Sequence, residues 1–269
     1  MSSDADSFLD VGSVFADQLR QTLIDAVIAW EQSRPRSLQK EIGPSQAGVA
    51  CARRLAWSMT SNPSTNTKGD PLPSIVGTSM HGTMEEVMAL ANEALGRERW
   101  LTETKVLEPI AGTCDLYDKD TRSVIDWKFP GPTAFKKYTT KGPSVEYRSQ
   151  VHTYGLGYRN LGYEVDKVGI MFIPRAGRLN QSHLWIEDYD QQRALDTAER
   201  LKNIRKVSDA LELEKYPERA QHIPATPSDS CMFCPWWNPN PRGHRECPGT
   251  AGDPNGHLLD LGVPDAGES

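Results

Sequence analysis

Apolar residues fall near helical spacing at Phe15, Leu19, Leu23, Val27 and Trp30, which predicts an amphipathic helix over 15–32. A shorter helical pattern covers 46–59 and holds Cys51 and the pair Arg53–Arg54. The stretch SNPSTNTKGDPLP, 61–73, breaks any period and reads as a loop, after which helical spacing returns over 74–95 and stops at Gly96. The period then changes to two. Residues 100–108 read as a strand, and 112–117 with 122–129 as a hairpin turning around 118–120. Residues 128–143 contain three prolines and several lysines and are expected to form a basic loop. A helix over 146–161, strands over 168–174 and 182–187, and a long helix over 189–213 closed by Pro217 complete the pattern. The succession helix, three strands, helix, two strands, helix predicts an α/β fold with helical additions. From Pro224 the chain is proline-rich and carries three cysteines. It then enters a Gly/Pro/Asp tail, 251–269, expected to be disordered, as is the acidic leader 1–17.

At 269 residues, 38% apolar and 25% charged, the chain has the composition of a soluble globular protein of one large domain or two small ones. It contains no run of 18 apolar residues, so a membrane span is excluded. The opening MSSDADSFLD lacks the basic and apolar regions of an export signal, so a cytoplasmic location is expected. In a reducing compartment, an odd count of five cysteines points to ligands or free thiols rather than a disulfide framework. The net charge of −6 is unevenly spread. Asp4, Asp6, Asp10 and Asp17 at one end and Asp253, Asp260, Asp265 and Glu268 at the other meet no base, which leaves 18–250 slightly positive. Within that span Lys128, Lys136, Lys137, Lys141 and Arg148 face a single acid, Glu146, in a local basic patch of the kind that binds phosphates; the alternative is a solvated loop.

The stretch AGTCDLYDKDTRSVIDWKFPGP, 111–132, carries the most chemistry. Strand alternation places Val124, Asp126 and Lys128 on one face and Ile125 and Trp127 on the other, and the hairpin brings Asp115 toward Asp126. Two adjacent carboxylates repel unless a cation intervenes, so the pair calls for a divalent metal with oxygen ligands. A lysine beside them can orient an attacking water and offset charge developing on a phosphate. A surface hairpin paired in solvent is the plainer reading. Downstream, YRSQVHTY (147–154) sets Gln150 and Tyr154 at i and i+4 on one helix face, where they could hold a phosphate or the nucleotide backbone.

These segments, GTCD, IDWK and QVHTY, resemble the PD-(D/E)XK nuclease superfamily, in particular RecB-like nuclease domains with their trailing Q-x-x-x-Y motif. The resemblance covers about 46–250. It implies a restriction-endonuclease-like α/β core, a mixed central sheet flanked by helices, with N-terminal helices and a C-terminal cysteine segment. It also implies that Asp115 and Asp126 bind Mg²⁺ or Mn²⁺, that the main-chain carbonyl of Trp127 is a further ligand, and that Lys128 is the catalytic lysine. Gln150 and Tyr154 become the substrate-side motif. VGTSMHGTMEE (76–86) is similar to the family helix that supplies a histidine ligand, here His81, and an imidazole would shift preference toward manganese. Glu103 on the first strand is a weaker candidate.

Cys231-Met-Phe-Cys234 is separated from Cys247 by twelve residues, while Cys51 stands far upstream and Cys114 reads as a buried strand residue. Three thiolates in one Pro-flanked segment converge on a metal. Spacing leaves two centres open: zinc on Cys231, Cys234, Cys247 and His244, or an iron–sulfur cluster on the three cysteines plus Cys51. One cysteine ahead of the core and three after it resembles the iron–sulfur nucleases, the CRISPR-associated exonuclease family and AddB-type domains, and so implies a [4Fe–4S] cluster on Cys51, Cys231, Cys234 and Cys247. Such a cluster would staple the C-terminal segment to the N-terminal helices.

The expected organisation is therefore an acidic leader (1–17), a helical region with the first cluster cysteine (18–99), a nuclease core (100–213), a cysteine segment (214–250) and a tail. The absence of G-x-x-x-x-G-K-[ST] leaves no ATP motor, and protease and esterase motifs are absent too. The expected activity is a stand-alone metal-dependent deoxyribonuclease. It is most similar to bacteriophage-type exonucleases acting on single-stranded ends, with Arg53, Arg54, Lys136, Lys137, Lys141 and Arg148 gripping backbone phosphates. Expected partners are DNA and a helicase, annealing or integration protein, with oligomers allowed. The rivals are a non-catalytic iron–sulfur or zinc scaffold that binds DNA, and an endonuclease on the same core.

Overall fold

The computed structural model describes residues 4–33, 42–66, 70–228 and 230–249. Contacts divide the chain into two units, Met1–Gln39 with Asp70–Ile75, and Lys40–Gly69 with Val76–Ser269. The first unit is dominated by helix α1 (Asp4–Gln32), whose apolar residues Phe15, Leu19, Leu23, Val27 and Trp30 are exposed. The expected leader is thus helical from residue 4 rather than disordered, because a helix once nucleated propagates at little cost per residue. The tail 251–269 lies outside the described residues.

In the second unit the expected helix over 46–59 is two short ones, α2 (Pro44–Ala47) and α3 (Ala52–Ser58). The break falls at Gly48, where a Cβ would stand 2.7 Å from the Glu146 Cα, so only glycine allows the backbones to approach there. Helix α4 (Leu72–Leu95) leads into β1 (Trp100–Val106), β2 (Gly112–Asp118) and β3 (Ser123–Lys128). After β3 come α5 (Pro132–Lys141) and α6 (Val145–Asn160), then β4 (Lys167–Phe172), β5 (His183–Asp188) and α7 (Gln191–Ala210).

Helix α5 replaces the basic loop expected over 128–143. Its prolines mark the helix boundary instead of excluding a helix: Pro132 sits in the first turn, where its missing N–H costs nothing, and Gly142 ends the helix at φ 75°.

The strands form one mixed sheet in the order β1-β2-β3-β4-β5, parallel only between β3 and β4. Helices cover both faces, as the family resemblance implied. Val124 joins Val151, Tyr154, Tyr158, Val168 and Ile170 in the core under α6, and Ile125 and Trp127 pack on the opposite face against Met80, Met84 and Met88 of α4. That division is the alternation read from IDWK. Ten consecutive residues of α6, Ser149 to Tyr158, are buried, and at Gly157 a Cβ would lie 2.7 Å from Val106, which brings the helix close to the sheet. A third core joins α2, α3 and α7 to the C-terminal cysteine segment through Leu55, Trp57, Ile204, Ile223 and Trp236. Among the described residues no helix is long and apolar enough to cross a membrane.

Candidate active site

The β2–β3 ladder ends at Leu116–Ile125, while β3 stays paired to β4 as far as Lys128–Phe172. Asp115 and Asp126 therefore sit where β2 and β3 part. The Trp127 N–H, no longer in the ladder, donates to Asp115 Oδ2 at 2.8 Å and fixes that carboxylate. Opposite Asp115 the β1–β2 pairing skips Glu103, which holds φ 44° in mid-strand. A non-glycine residue there costs on the order of 1–3 kcal/mol and is found mostly where function requires it.

His81 enters from α4, with its ring edge-on to Phe129 and its Nδ1 3.2 Å from Asp115 Oδ1. Ligand atoms of His81, Glu103 and Asp115 all lie within 4.8 Å of one another, and among the described residues this is the one such group of three or more. One imidazole and hard carboxylate oxygens suit Mn²⁺ or Mg²⁺, so the donor set fits a divalent cation. Burial alone would lower the His81 pKa, but the hydrogen bond to Asp115 and the charges of Asp115 and Asp126 outweigh it and hold His81 above its ordinary value. Asp126 is almost fully buried, and that burial, reinforced by Asp115, pushes its carboxyl up despite Lys128. The site concentrates negative charge in a place that disfavours it, which is the electrostatic condition for cation binding.

Lys128 Nζ lies 2.5 Å from Asp126 Oδ2, and Gln150 Nε2 donates to Asp126 Oδ1 at 2.8 Å. Gln150 and Tyr154 are 4% and 5% exposed, and the contact Gln150 makes is with the Asp126 carboxylate. Tyr147, one turn before Gln150, was not singled out by the sequence pattern. Its ring centroid is 4.9 Å from Lys128 Nζ, and only its i−3 spacing from Gln150 could have marked it.

The basic residues divide. Lys136, Lys137 and Lys141 are exposed on α5. Arg148 does not join them, because its guanidinium grips Glu187 through Nε at 3.1 Å and Nη2 at 2.6 Å. Arg53 likewise donates to the carbonyls of Ile223 (2.9 Å) and Gln221 (3.1 Å), tying α3 to the C-terminal segment. Both corrections have one cause: an arginine fork matches a carboxylate or carbonyl pair that only the fold brings near. Arg54 faces the cysteines.

Cys51, Cys231, Cys234 and Cys247 line one pocket of about 690 Å³. Cys51 caps α3, its Sγ accepting from Arg54 N–H, and Arg200 of α7 holds the preceding carbonyls of Val49 (2.9 Å) and Ala50 (2.7 Å). Ser228 N–H points at Cys231 Sγ, and a short parallel bridge joins Trp237 to Cys247. His244 is exposed and does not line the pocket, and Cys114 is buried in the sheet core.

No protein-family model matches the chain, and no curated protein matches it. The chain is similar to solved structures that include two exonucleases. An alkaline exonuclease (LHK-Exo) from Laribacter hongkongensis superposes with a TM-score of 0.46 at 14% identity, over 67% of this chain and 93% of that one. A phage-related exonuclease from Haemophilus somnus 129PT gives 0.42 at 16% identity, over 65% of this chain and 96% of that one.

Proposed function

We propose that the chain is a divalent-metal-dependent DNA exonuclease with a RecB-like PD-(D/E)XK core, acting on single-stranded ends. The observation that carries the reading is the meeting of Asp115, Asp126 and Lys128 where β2 and β3 part, with His81 and Glu103 beside Asp115. Asp115, Asp126 and His81 would hold Mg²⁺ or Mn²⁺, with the Trp127 carbonyl or Glu103 completing the set. A cation held there supplies Lewis-acid stabilisation of the phosphate and of the leaving oxygen.

The remaining work belongs to the chain. The Lys128 ammonium, anchored by Asp126, orients the attacking water and offsets charge growing on the phosphate oxygens. Gln150 fixes the Asp126 carboxylate, with Tyr154 buried one turn further along the same helix, so the acid keeps one orientation through turnover. Exposed Lys136, Lys137 and Lys141 bind backbone phosphates without reading bases.

The four pocket cysteines would hold a [4Fe–4S] cluster. That the distant Cys51 lines the same pocket as Cys231, Cys234 and Cys247, while exposed His244 does not, supports a centre shared by the four cysteines over a local zinc site. Such a centre supplies a structural staple between α3 and the C-terminal segment.

End-labelled single-stranded DNA, incubated with anaerobically purified protein and Mn²⁺, tests the activity. Label should be released in a reaction abolished by EDTA and by Lys128→Ala, while closed circular DNA survives. Cleavage of the circle would make the protein an endonuclease. Intact linear DNA, with the protein folded, would leave a DNA-binding scaffold.

A further inference from the structure

Strand β3 and helix α6 meet in a fixed register. Asp126 and Lys128 are two residues apart on one face of the strand, and Gln150 and Tyr147 are three apart on one face of the helix. Gln150 meets Asp126 and Tyr147 meets Lys128, so the same helix face holds both members of the acid–lysine pair, one turn for each. The lysine contact is made by a ring face. Lys128 Nζ stands 4.9 Å from the centroid of Tyr147, a distance at which the ring quadrupole attracts a cation, and its side chain is 18% exposed.

The ring is itself immobilised. Tyr147 is half-buried and packs on Tyr138 of α5 with ring centroids 5.4 Å apart; Tyr138 stacks on fully buried Phe172 at 4.9 Å and 17°, and Tyr147 packs on the same Phe172 at 6.4 Å. Phe172 is the β4 residue paired with Lys128 in the sheet. The aromatic trio therefore closes a loop from the backbone of Lys128 to its ammonium. A four-carbon stem that would otherwise sample many rotamers is confined to the position beside Asp126.

From this geometry we infer that Tyr147 is the positioning residue of Lys128, acting through its ring face. Gln150 plays the matching part for Asp126. The consequence for cleavage rests on the nuclease reading above; the contact itself does not.

The test compares Tyr147→Phe, which keeps the ring, with Tyr147→Leu and Tyr147→Met, which remove it; the unbranched methionine serves if leucine fails to fold. Two readouts are used on the full chain. The first is the rate at which an acylating reagent labels Lys128 in metal-free, DNA-free buffer, followed by peptide mass spectrometry. Leucine and methionine should raise it by about threefold or more, because the covering ring is gone, and phenylalanine should leave it at the wild-type rate. The second is steady-state cleavage of single-stranded DNA with Mn²⁺. Leucine and methionine should lower kcat about tenfold with KM within about threefold, and phenylalanine should restore most of the rate. Unchanged labelling in the folded leucine or methionine variant overturns the inference. So does a phenylalanine variant that behaves like leucine, which would assign the role to the hydroxyl. If wild type cleaves no DNA but the labelling pattern holds, the nuclease reading fails and the positioning stands.

Discussion

Gln150 donates its amide to Asp126 Oδ1 at 2.8 Å, and both side chains are shut away from solvent. A buried carboxylate pushed toward its neutral form by desolvation keeps its charge only where a donor or a cation meets it. Gln150 is the uncharged donor and Lys128 the charged one. The Gln150 carbonyl oxygen is buried with no hydrogen-bond partner among the described residues, so the bond to Asp126 is what orients the amide.

Gln150→Leu should therefore weaken Mn²⁺ binding by about tenfold and lower kcat by at least as much, while KM for DNA barely moves. Stability should fall by about 1–3 kcal/mol, since Asp126 keeps its burial and loses a donor. Calorimetric Mn²⁺ titration beside urea unfolding checks both. A KM effect alone would return Gln150 to the substrate side.

Local pattern carried much of this architecture. The period-two runs located β2 and β3, and IDWK alternation sorted Asp126 and Lys128 from Ile125 and Trp127 correctly, because successive side chains of a strand point to opposite faces even where both are covered. What escaped depended on partners distant in sequence. Arg148 resembles a phosphate ligand until Glu187, 39 residues on, occupies its fork. Gln150 and Tyr154 resemble solvent-facing polar residues because nothing local shows that α6 is enclosed along its length. Glu103 adopts a positive φ that no strand propensity predicts. The α5 lysines were placed in the right stretch but on the wrong element, the helix-starting role of Pro132 having been read as a breaker.

The Glu187 carboxyl gives a pH signature away from the metal ligands. Burial would raise it, but the hydrogen bond from His152 and the bidentate Arg148 prevail and hold it down at about 2. His152 Nδ1 accepts from the Asp190 N–H, so the ring is fixed as the Nε2–H tautomer that donates to Glu187. A folded pKa below the unfolded value of about 4.3 stabilises the native state fully above that pH and loses the benefit as pH falls toward 2. Glu187→Gln should melt about 3–8 °C below wild type at pH 6–8, and the gap should narrow as pH drops below about 4.3. A gap that stays constant down to pH 3 would show that the pair adds nothing through its charge.

On the proposed function the exposed lysines of α5 would meet phosphate as point charges, so their contribution should vanish with salt. Replacing Lys136, Lys137 and Lys141 by alanine should raise KM for single-stranded DNA at low salt and leave kcat near wild type. The slope of log affinity against log salt should fall by about 0.7 for each lysine that neutralises a phosphate. Fluorescence anisotropy of labelled oligonucleotide across a salt series measures this slope. An unchanged slope would remove α5 from the binding surface.

Cys51 and Cys231 are 180 positions apart and line one pocket, so a centre that links them closes a very long loop. In the chain-entropy model a crosslink of that span is worth about 4–5 kcal/mol, because it restricts the unfolded chain. The fold ties the same parts together by packing and hydrogen bonds as well, through Trp57 on Trp236 at 5.5 Å, Arg53 on Gln221 and Ile223, and Asn66 on the carbonyls of Met232 and Cys234. Protein purified anaerobically should contain iron and acid-labile sulfide in equal amounts. Cys51→Ser should lose both and melt well below wild type. Cys114→Ser is the control, since that thiol is buried in the sheet core away from the pocket: it should cost packing stability and keep its iron. Stoichiometric zinc in place of iron, retained in Cys51→Ser and lost in His244→Ala, would replace the cluster by a local zinc site and leave the long-range staple to side-chain packing alone.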